Sequence, residues 1–562
     1  MLSNLYPRTG SYGHVVLGSD SQPPQTSAVS RVFSINELLI AIFILCQEEG
    51  GDIGDSGKLT TLTSDTHSRY PRPSENEVPL LFAHVCRHWR NVALDIPSLW
   101  ARLHLEFSAR LCQDVPRMEG QLCALQFWLT HSRSIPISTR LRISWVKPDQ
   151  LYLTIIPPES RLILTKIAET LFKHTHRWEN IEILLLEFGL VPFYENISQQ
   201  YPRLLSLKLD NRAYPMKEAL DGKDLFLYSA PKVKELVLPG RGVGYFDSDV
   251  FAPSAFPSSL QSLELSDTTM HITRSMCGSH LRELILKNVL VSNLAKFSIA
   301  FPLLETLIVV YDRELHATWD VIYEDDDDED DEDEDGDDNP GWHYAVLDHL
   351  TTLKVSIHCG QEPGVHLLLF GITTPALKHL AFSEHTTSRH SEYDIIQLLH
   401  RSQAPVEHFS YKGSDNVNAA LDEAAIRLIL EEMPGLVELD IHQPAFSNAL
   451  SFLGDPAHLP HLTNIHSEGD LPVIEDVTDE SLHVLSRLHV RDILYIIDRR
   501  CRKRHEPDNG ERVWLKKLAL PVYEEQERLI RENEIFRQAE VEFENTYERQ
   551  DELIGGEDIC PY

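Results

Sequence analysis

The chain has 562 residues, 42% of them hydrophobic and 24% charged, with a formal net charge of −35. That length is more than one compact core accommodates, the composition is that of a folded chain and not a disordered one, and the negative sign excludes bulk attraction to nucleic acid or an anionic membrane. The charge is unevenly spread, since 14 of the 15 residues at 324–338 are Asp or Glu. The eight cysteines form no C-x-x-C pair. They are too sparse for a disulfide framework and read as reduced, mostly core residues of a cytoplasmic or nuclear protein. The first residues lack a basic segment followed by an apolar stretch. The longest apolar run, Leu38 to Cys46, is about half of what a membrane span needs, so the chain is expected to stay off the membrane.

Residues 1–30 are rich in Ser, Gly and Pro without a period and are expected to be disordered. Ser34-Ile-Asn-Glu37 has the form of a capping box, in which the Ser oxygen and the Glu carboxylate satisfy each other's free N–H groups. It predicts a helix running through Leu38, Leu39, Ile42 and Phe43. Residues 47–78 are polar and read as a loop. Pro79 suits the first turn of a second helix, in which Leu81, Val85, Trp89 and Val92 recur on one face. Trp89, Val85 and Val92 are expected on its internal side. Asp95-Ile-Pro-Ser-Leu-Trp100 then turns into a third short element.

From about residue 178 one pattern recurs, apolar-x-x-apolar-x-apolar. Trp178-Glu-Asn-Ile181-Glu-Ile183 is its earliest form, and Leu204-Leu-Ser-Leu207-Lys-Leu209 and Leu353-Lys-Val355 are typical. Its central residues fall at 207, 236, 263, 284, 307, 353, 380, 409, 439 and 465, and Leu515-Lys-Lys-Leu518-Ala-Leu520 closes the series. The single long gap, from 307 to 353, contains the acidic run and reads as a repeat carrying an insertion at 324–340. A period in the twenties with this signature marks leucine-rich repeats. Alternation within L-x-L places two side chains on one face of a short strand, and stretches such as Ile395–His400 have helical spacing. A lone strand and helix enclose no core, so neighbouring repeats must stack.

The stretch Leu81-Phe-Ala-His-Val-Cys-Arg-His-Trp-Arg-Asn-Val-Ala-Leu-Asp-Ile-Pro-Ser-Leu-Trp100 resembles the second half of the F-box-like module of mushroom-type fungal F-box proteins. Ile35-Asn-Glu-Leu-Leu-Ile-Ala-Ile-Phe43 is similar to that module's first helix, and Trp128-Leu-Thr-His-Ser-Arg-Ser-Ile-Pro-Ile-Ser-Thr-Arg-Leu141 to the family's approach to its repeats. The family has Leu-Pro before the first helix, where Ser34-Ile35 stands here, and a shorter loop after it. The resemblance implies an α/β fold, a short N-terminal helical F-box-like module followed by a leucine-rich-repeat solenoid with a curved parallel sheet and outer helices. The expected organisation is a disordered 1–30, a module at 31–105, a linker at 106–177, repeats at 178–520 and a charged helical tail at 521–562.

The resemblance also implies a role: a non-catalytic, monomeric substrate receptor that docks on the Skp-type adaptor of a cullin–RING ubiquitin ligase, with no cofactor and no nucleic-acid or membrane partner. By carry-over, Ile35, Leu38, Leu39, Ile42 and Phe43 would supply the docking surface, with Pro97 and Trp100 nearby. A leucine-rich-repeat scaffold without ubiquitin chemistry is the alternative.

If the L-x-L residues point inward, the residues between them face out on the concave side of the sheet. The unknown protein substrate is then expected to meet Val237, Glu264, Ile285, Ile308, Lys354, His379, His408 and Asp440. Val237, Ile285 and Ile308 would make an apolar strip that either binds a partner or is covered by chain from elsewhere, such as the C-terminal tail.

Other features read as structural. The acidic run is a solvated insertion without the EF-hand alternation. Arg499-Arg-Cys-Arg-Lys-Arg504 is either a nuclear import signal or the polar end of a helix beginning near Leu488. His174 and His176 lack a third ligand at zinc spacing. Gly240-Arg-Gly-Val-Gly244 is a repeat loop, and Asn196-Ile-Ser198 is only a formal glycosylation acceptor. Leu529, Phe536 and Phe543, seven apart, suggest one seam along a C-terminal helix lying on the solenoid or free in solvent.

Overall fold

A computed structural model describes residues 36–49, 73, 78–144, 157–184, 201–210, 230–239, 257–271, 280–292, 296–311, 344–358, 363–384, 391–413, 423–441, 449, 452–455, 457–467, 491, 493–500, 515–520, 524–539 and 541–545. Ser34 and Ile35, the Gly-rich loop at 240–244, Asn196, the acidic run and residues 501–504 lie outside the described residues. The chain forms two compact units, 1–251 with 255–263, and 252–254 with 264–562.

The first unit opens with helices α1 (Asn36–Glu49), α2 (Leu80–Val85) and α3 (Arg87–Asp95) and a 3-10 turn at Pro97–Trp100. The single helix expected after Pro79 is thus two. Cys86 is extended (φ −159°, ψ 171°) and breaks it, and its Sγ accepts the Trp89 N–H at 3.4 Å as the N-cap of α3. The break separates Leu81 and Val85 from Trp89 and Val92. Val85, expected inside, is 55% exposed, whereas Val92 is buried. Trp89 packs its ring near those of Phe43 and Phe82, which stack with centroids 3.9 Å apart.

Trp100 is fully buried, donates its indole N–H to the Ala93 carbonyl at 2.8 Å, and meets Phe127 and Trp128 of α5 (Val115–His131) edge-on. A short α4 (Ala109–Cys112) precedes α5, whose N-cap Asp114 accepts the Arg117 N–H.

The parallel sheet begins well before Trp178. Strands β1 (Arg102–Ser108) and β2 (Ile137–Ser144) pair in parallel, Leu105 opposite Leu141 and Phe107 opposite Ile143. Helix α6 (Pro158–Phe172) follows, then β3 (Trp178–Leu184), β4 (Ser206–Asp210) and β5 (Glu235–Pro239), each parallel to its predecessor. Trp100-Ala-Arg-Leu103-His-Leu105 has the same apolar-x-x-apolar-x-apolar form as Trp178–Ile183 and stands in register with it, whereas β2 has Thr139 at the central position.

β6 (Ser262–His271) runs across the boundary in sequence between the units. In the second unit β7 (Glu283–Ser292), α7 (Phe297–Ala300), β8 (Thr306–Tyr311), β9 (Ala345–Val346) and β10 (Thr352–Ile357) come first. Then follow α8 (Pro363–Gly371), β11 (Ile372–Thr373), β12 (His379–Glu384), α9 (Ser391–Ser402), β13 (His408–Lys412), α10 (Glu423–Glu431), β14 (Glu438–Ile441) and β15 (Asn464–His466). After a helical run at 493–500 come β16 (Lys517–Leu520), α11 (Glu524–Glu532), α12 (Glu534–Gln538) and β17 (Glu542–Asn545). β7, β8, β10 and β12 to β17 pair successively in parallel, and β9 and β11 form a separate parallel pair. The seam expected along one helix through Leu529, Phe536 and Phe543 is split over α11, α12 and β17, with only the Phe536 and Phe543 rings meeting, 5.9 Å apart and edge-on. Phe543 lies in β17 opposite Leu518, and Ile530, not Leu529, is the fully buried residue of α11.

The alternation is visible in burial: Leu307, Val309 and Tyr311 are buried while Thr306, Ile308 and Val310 are half-exposed. Register is set at the mouth of most of the described strands from β5 to β16. One carbonyl accepts two consecutive N–H groups from the next repeat, as Glu305 O does from Thr351 and Thr352 and Lys378 O from Glu407 and His408. Helix ends are closed by arginines. Buried Arg177 donates to Leu129 O and Ile135 O after α5 and to Ser132 Oγ, and Arg401 donates to Leu369 O and Ile372 O at the end of α8. Arg500 does the same for Leu453, Asp455 and Leu459. These cations answer both the free carbonyls and the negative pole of a helix C-terminus. Arg500 is therefore a core residue, which favours the helix-end reading of its basic run.

Arg177→Met leaves buried carbonyls without donors and is expected to lower stability by about 2–4 kcal/mol, against under about 0.5 kcal/mol for exposed Arg203→Met. Urea unfolding midpoints measure both. Cys112 is buried, which pushes its thiol up to about 11, while Cys46, Cys86 and Cys123 are exposed. Iodoacetamide at pH 7.5, followed by peptide mass mapping, should label those three and leave Cys112 unmodified in the folded chain.

Candidate functional site

Two surfaces collect the residues that sequence patterning singles out. On the helical module, Leu39 and Phe43 are fully buried, and so is Trp100. Phe43 packs within the module against Phe82 and Trp89, Trp100 packs against Phe127 and Trp128, and all three buried side chains lie away from the outer surface. Pro97 is half-buried, and Ile35 lies outside the described residues. What α1 turns outward is Leu38 (42% exposed), half-buried Ile42 and Leu45 (52% exposed). Their i, i+4, i+7 spacing makes one stripe, about a quarter-turn or more from the Leu39–Phe43 stripe. On α2, Leu81 (42%) and Val85 (55%) form a second outward pair. Sequence reasoning missed Leu45, although its spacing from Leu38 and Ile42 was readable, and it placed Val85 inside because the break at Cys86 has no usual turn residue.

The second surface is the sheet face carrying the residues between the buried L-x-L positions. In the first unit, register aligns His104, Arg140, Glu182, Lys208 and Val237. Arg140 pairs with Glu182 at 2.8 Å. Lys208 pairs with Glu235 at 2.7 Å, and the Ser206 hydroxyl donates to the same carboxylate. Val237 is half-buried at the end of this ladder.

In the second unit the ladder reads Ile285, Ile308, Lys354, Ala381, Ser410, Asp440, His466, Ala519 and Glu544. Glu264 is ion-paired to Lys287 at 2.6 Å. Ile285 and Ile308 face each other in register, with Val310 two positions along, so the apolar strip here is these three half-exposed side chains. Lys354 beside them is exposed and has no carboxylate at ion-pair distance among the described residues. His379 and His408 stack at 4.4 Å with their rings 16° apart, and His408 Nδ1 lies 3.0 Å from Glu438. The Ser410 hydroxyl donates to Asp440 at 3.0 Å, and His466 Nδ1 is 3.1 Å from the other oxygen of that carboxylate. Lys517 and Glu544 pair at 2.6 Å.

The tail does not cover this face: as far as Asn545 its described residues add a strand to the sheet. His466 and Glu544 escaped the sequence reading because their repeats are degenerate there.

Among the described residues no group of His, Cys, Asp and Glu is placed to hold a metal ion, and no helix is long and apolar enough to cross a membrane. His174 and His176 have ring centroids 6.3 Å apart.

No protein-family model and no curated protein matches the sequence. Among solved structures, the chain is similar to an internalin from Listeria monocytogenes at 9% identity over 62% of this chain and 79% of that one, with a TM-score of 0.24. That superposition is too loose to bear on fold or function. The repeat architecture rests on the strands, registers and burial described above: an α/β array of leucine-rich-repeat type with one parallel strand per repeat.

Burial, then the positive neighbour His408, holds the His379 imidazolium below its ordinary range, with Lys378 and Lys354 adding to this and Glu407 opposing it. The unfolded chain then takes up this proton first as pH falls, near 6.5. Stability from this site should therefore drop as pH falls through the window just below 6.5 and recover above it. NMR titration should place the His379 midpoint below the ordinary value of an isolated histidine, and His379→Gln should flatten the dependence of the unfolding midpoint on pH between about 5 and 6.5.

Proposed function

We propose that this chain is a non-catalytic receptor that joins two proteins: its N-terminal helices dock on the Skp-type adaptor of a cullin–RING ubiquitin ligase, and its sheet face holds the protein to be modified. The observation that carries this reading is the pair of outward apolar stripes, Leu38–Ile42–Leu45 and Leu81–Val85, on a module whose inner face is already filled by Phe43, Phe82 and Trp89. Apolar side chains held outward on both helices are what a partner interface uses, and burying each contributes about 1.5–3 kcal/mol. The resemblance of residues 81–100 to the F-box-like module supplies the partner's identity. The polar ladder on the sheet face suits protein recognition in the repeats, since its ion pairs link adjacent strands and leave Lys354, Ile308 and Ile285 presented.

A second reading has its own support. Trp100 closes over Phe127 and Trp128, so the module also serves as the N-terminal cap of the repeat core. If capping is its whole role, the chain is a repeat scaffold without ubiquitin chemistry.

The test uses outward residues only, because replacing Leu39 or Phe43 would unfold the module. The intact chain should co-purify with a Skp-type adaptor. Leu81→Asp with Val85→Asp should weaken that binding at least about 100-fold, the loss of two buried apolar contacts, while leaving the thermal midpoint in place. A well-folded chain that does not bind the adaptor rejects the ligase assignment and leaves the scaffold reading.

A further inference from the structure

We infer that the sheet face of the second unit takes an extended peptide segment of dipolar pattern: an apolar residue, an acidic residue one or two positions on, and a basic residue about four positions further. This rests on the reading that the sheet face holds the partner, and it names the partner's chemistry. The face is polarised along the ladder. Ile285, Ile308 and Val310 form the apolar end. Lys354, next in register to Ile308, carries a positive charge that no neighbouring carboxylate offsets among the described residues.

On the next two strands, the stacked rings of His379 and His408 stand beside Ala381, whose small side chain leaves the ladder low at that point. Glu438 and Asp440 follow. Their polar contacts are His408 Nδ1 to Glu438 and the Ser410 hydroxyl and His466 Nδ1 to Asp440, and among the described residues no lysine or arginine lies at ion-pair distance from either carboxylate. Beyond them Lys517 and Glu544 compensate each other. Among the described residues the ladder thus carries Lys354 as the cation beside the apolar strip and Glu438 and Asp440 as anions farther along, with exposed Lys412 two positions from Ser410 and Lys517 near Glu438 on the same face.

Strand spacing converts this into a pattern. Neighbouring strands lie about 4.8 Å apart, so Ile308 to Lys354 is about 5 Å and Lys354 to Asp440, three strands on, about 14 Å. An extended segment crossing the strands advances about 3.3 Å per residue, which sets an acidic residue one or two positions from the apolar anchor and a basic residue about four beyond it. Reversing both charges would put like against like at each end.

Two fluorescein-labelled synthetic peptides test this by anisotropy on the full chain at pH 7.5, one with Leu, Asp and Lys at that spacing in a Ser/Gly background and one with Asp and Lys exchanged. The matched peptide should bind about tenfold more tightly. Lys354→Glu should abolish or invert the preference, and Ile308→Ser should weaken both peptides. Equal affinities, failure of both to bind, or a preference untouched by Lys354→Glu overturns the inference. Adaptor binding measured on the same preparation keeps the two readings apart. Its loss with the peptide preference intact counts against the ligase assignment alone, and its presence without a preference counts against the peptide pattern alone.

Discussion

The structure depends on a shared carbonyl. At the start of strand after strand, one backbone oxygen accepts two successive N–H groups from the next repeat: Leu205 from Lys234 and Glu235, Lys234 from Gln261 and Ser262, Arg282 from Glu305 and Thr306, Val437 from Thr463 and Asn464. This contact fixes the register of each such strand on its predecessor in the backbone itself. Because side chains alternate with a period of two, a slip of one residue would turn Leu353 and Val355 outward and Lys354 into the core. It also explains how a long insertion is tolerated. The segment between β8 and β9 does not disturb the pairing, since Thr351 and Thr352 still reach the Glu305 carbonyl.

With register fixed, each repeat contributes the same division of labour. The L-x-L side chains complete a core with their neighbours, and the residues between them become a ladder whose chemistry is free to vary. Arg177, Arg401 and Arg500 close the helix ends from within, removing the polar groups that stacking would otherwise leave unpaired. The helical module obeys the same economy: Phe43, Phe82 and Trp100 face in, and the surplus apolar residues Leu38, Leu45, Leu81 and Val85 face out. The proposed bridging role would use the outward apolar side chains of the helices for one protein and the sheet ladder for the other.

Much of this was legible in the sequence. The strand centres at Leu207, Leu236, Leu263, Leu284, Leu307, Leu353, Leu380, Phe409, Leu439, Ile465 and Leu518 are all buried core positions, because period-two alternation is a local signal. The first two strands were not, since Trp100, the leading residue of Leu103–Phe107, reads as part of the helical module, Thr139 stands where later repeats have an apolar centre, and a helix of 17 residues separates the two strands. Nor were the helix-capping arginines, whose partners lie 29 to 48 positions away in sequence. The docking face was half legible. Helical spacing found Leu38 and Ile42, but only the extended backbone at Cys86 decides that Val85 points out while Val92 points in. Leu39, which sequence alone leaves open between docking and packing, is buried together with Phe43 and Trp100, because a sequence does not say which of two apolar stripes the neighbouring helix will cover.

Hydrogen–deuterium exchange of the full chain, with and without saturating Skp-type adaptor, tests the bridging account most directly. The account predicts that the adaptor slows exchange in residues 36–46 and 80–95 and leaves the strands at 283–292, 306–311 and 352–357 unchanged. Protection of those strands with none in the helices, or no protection anywhere, would contradict it.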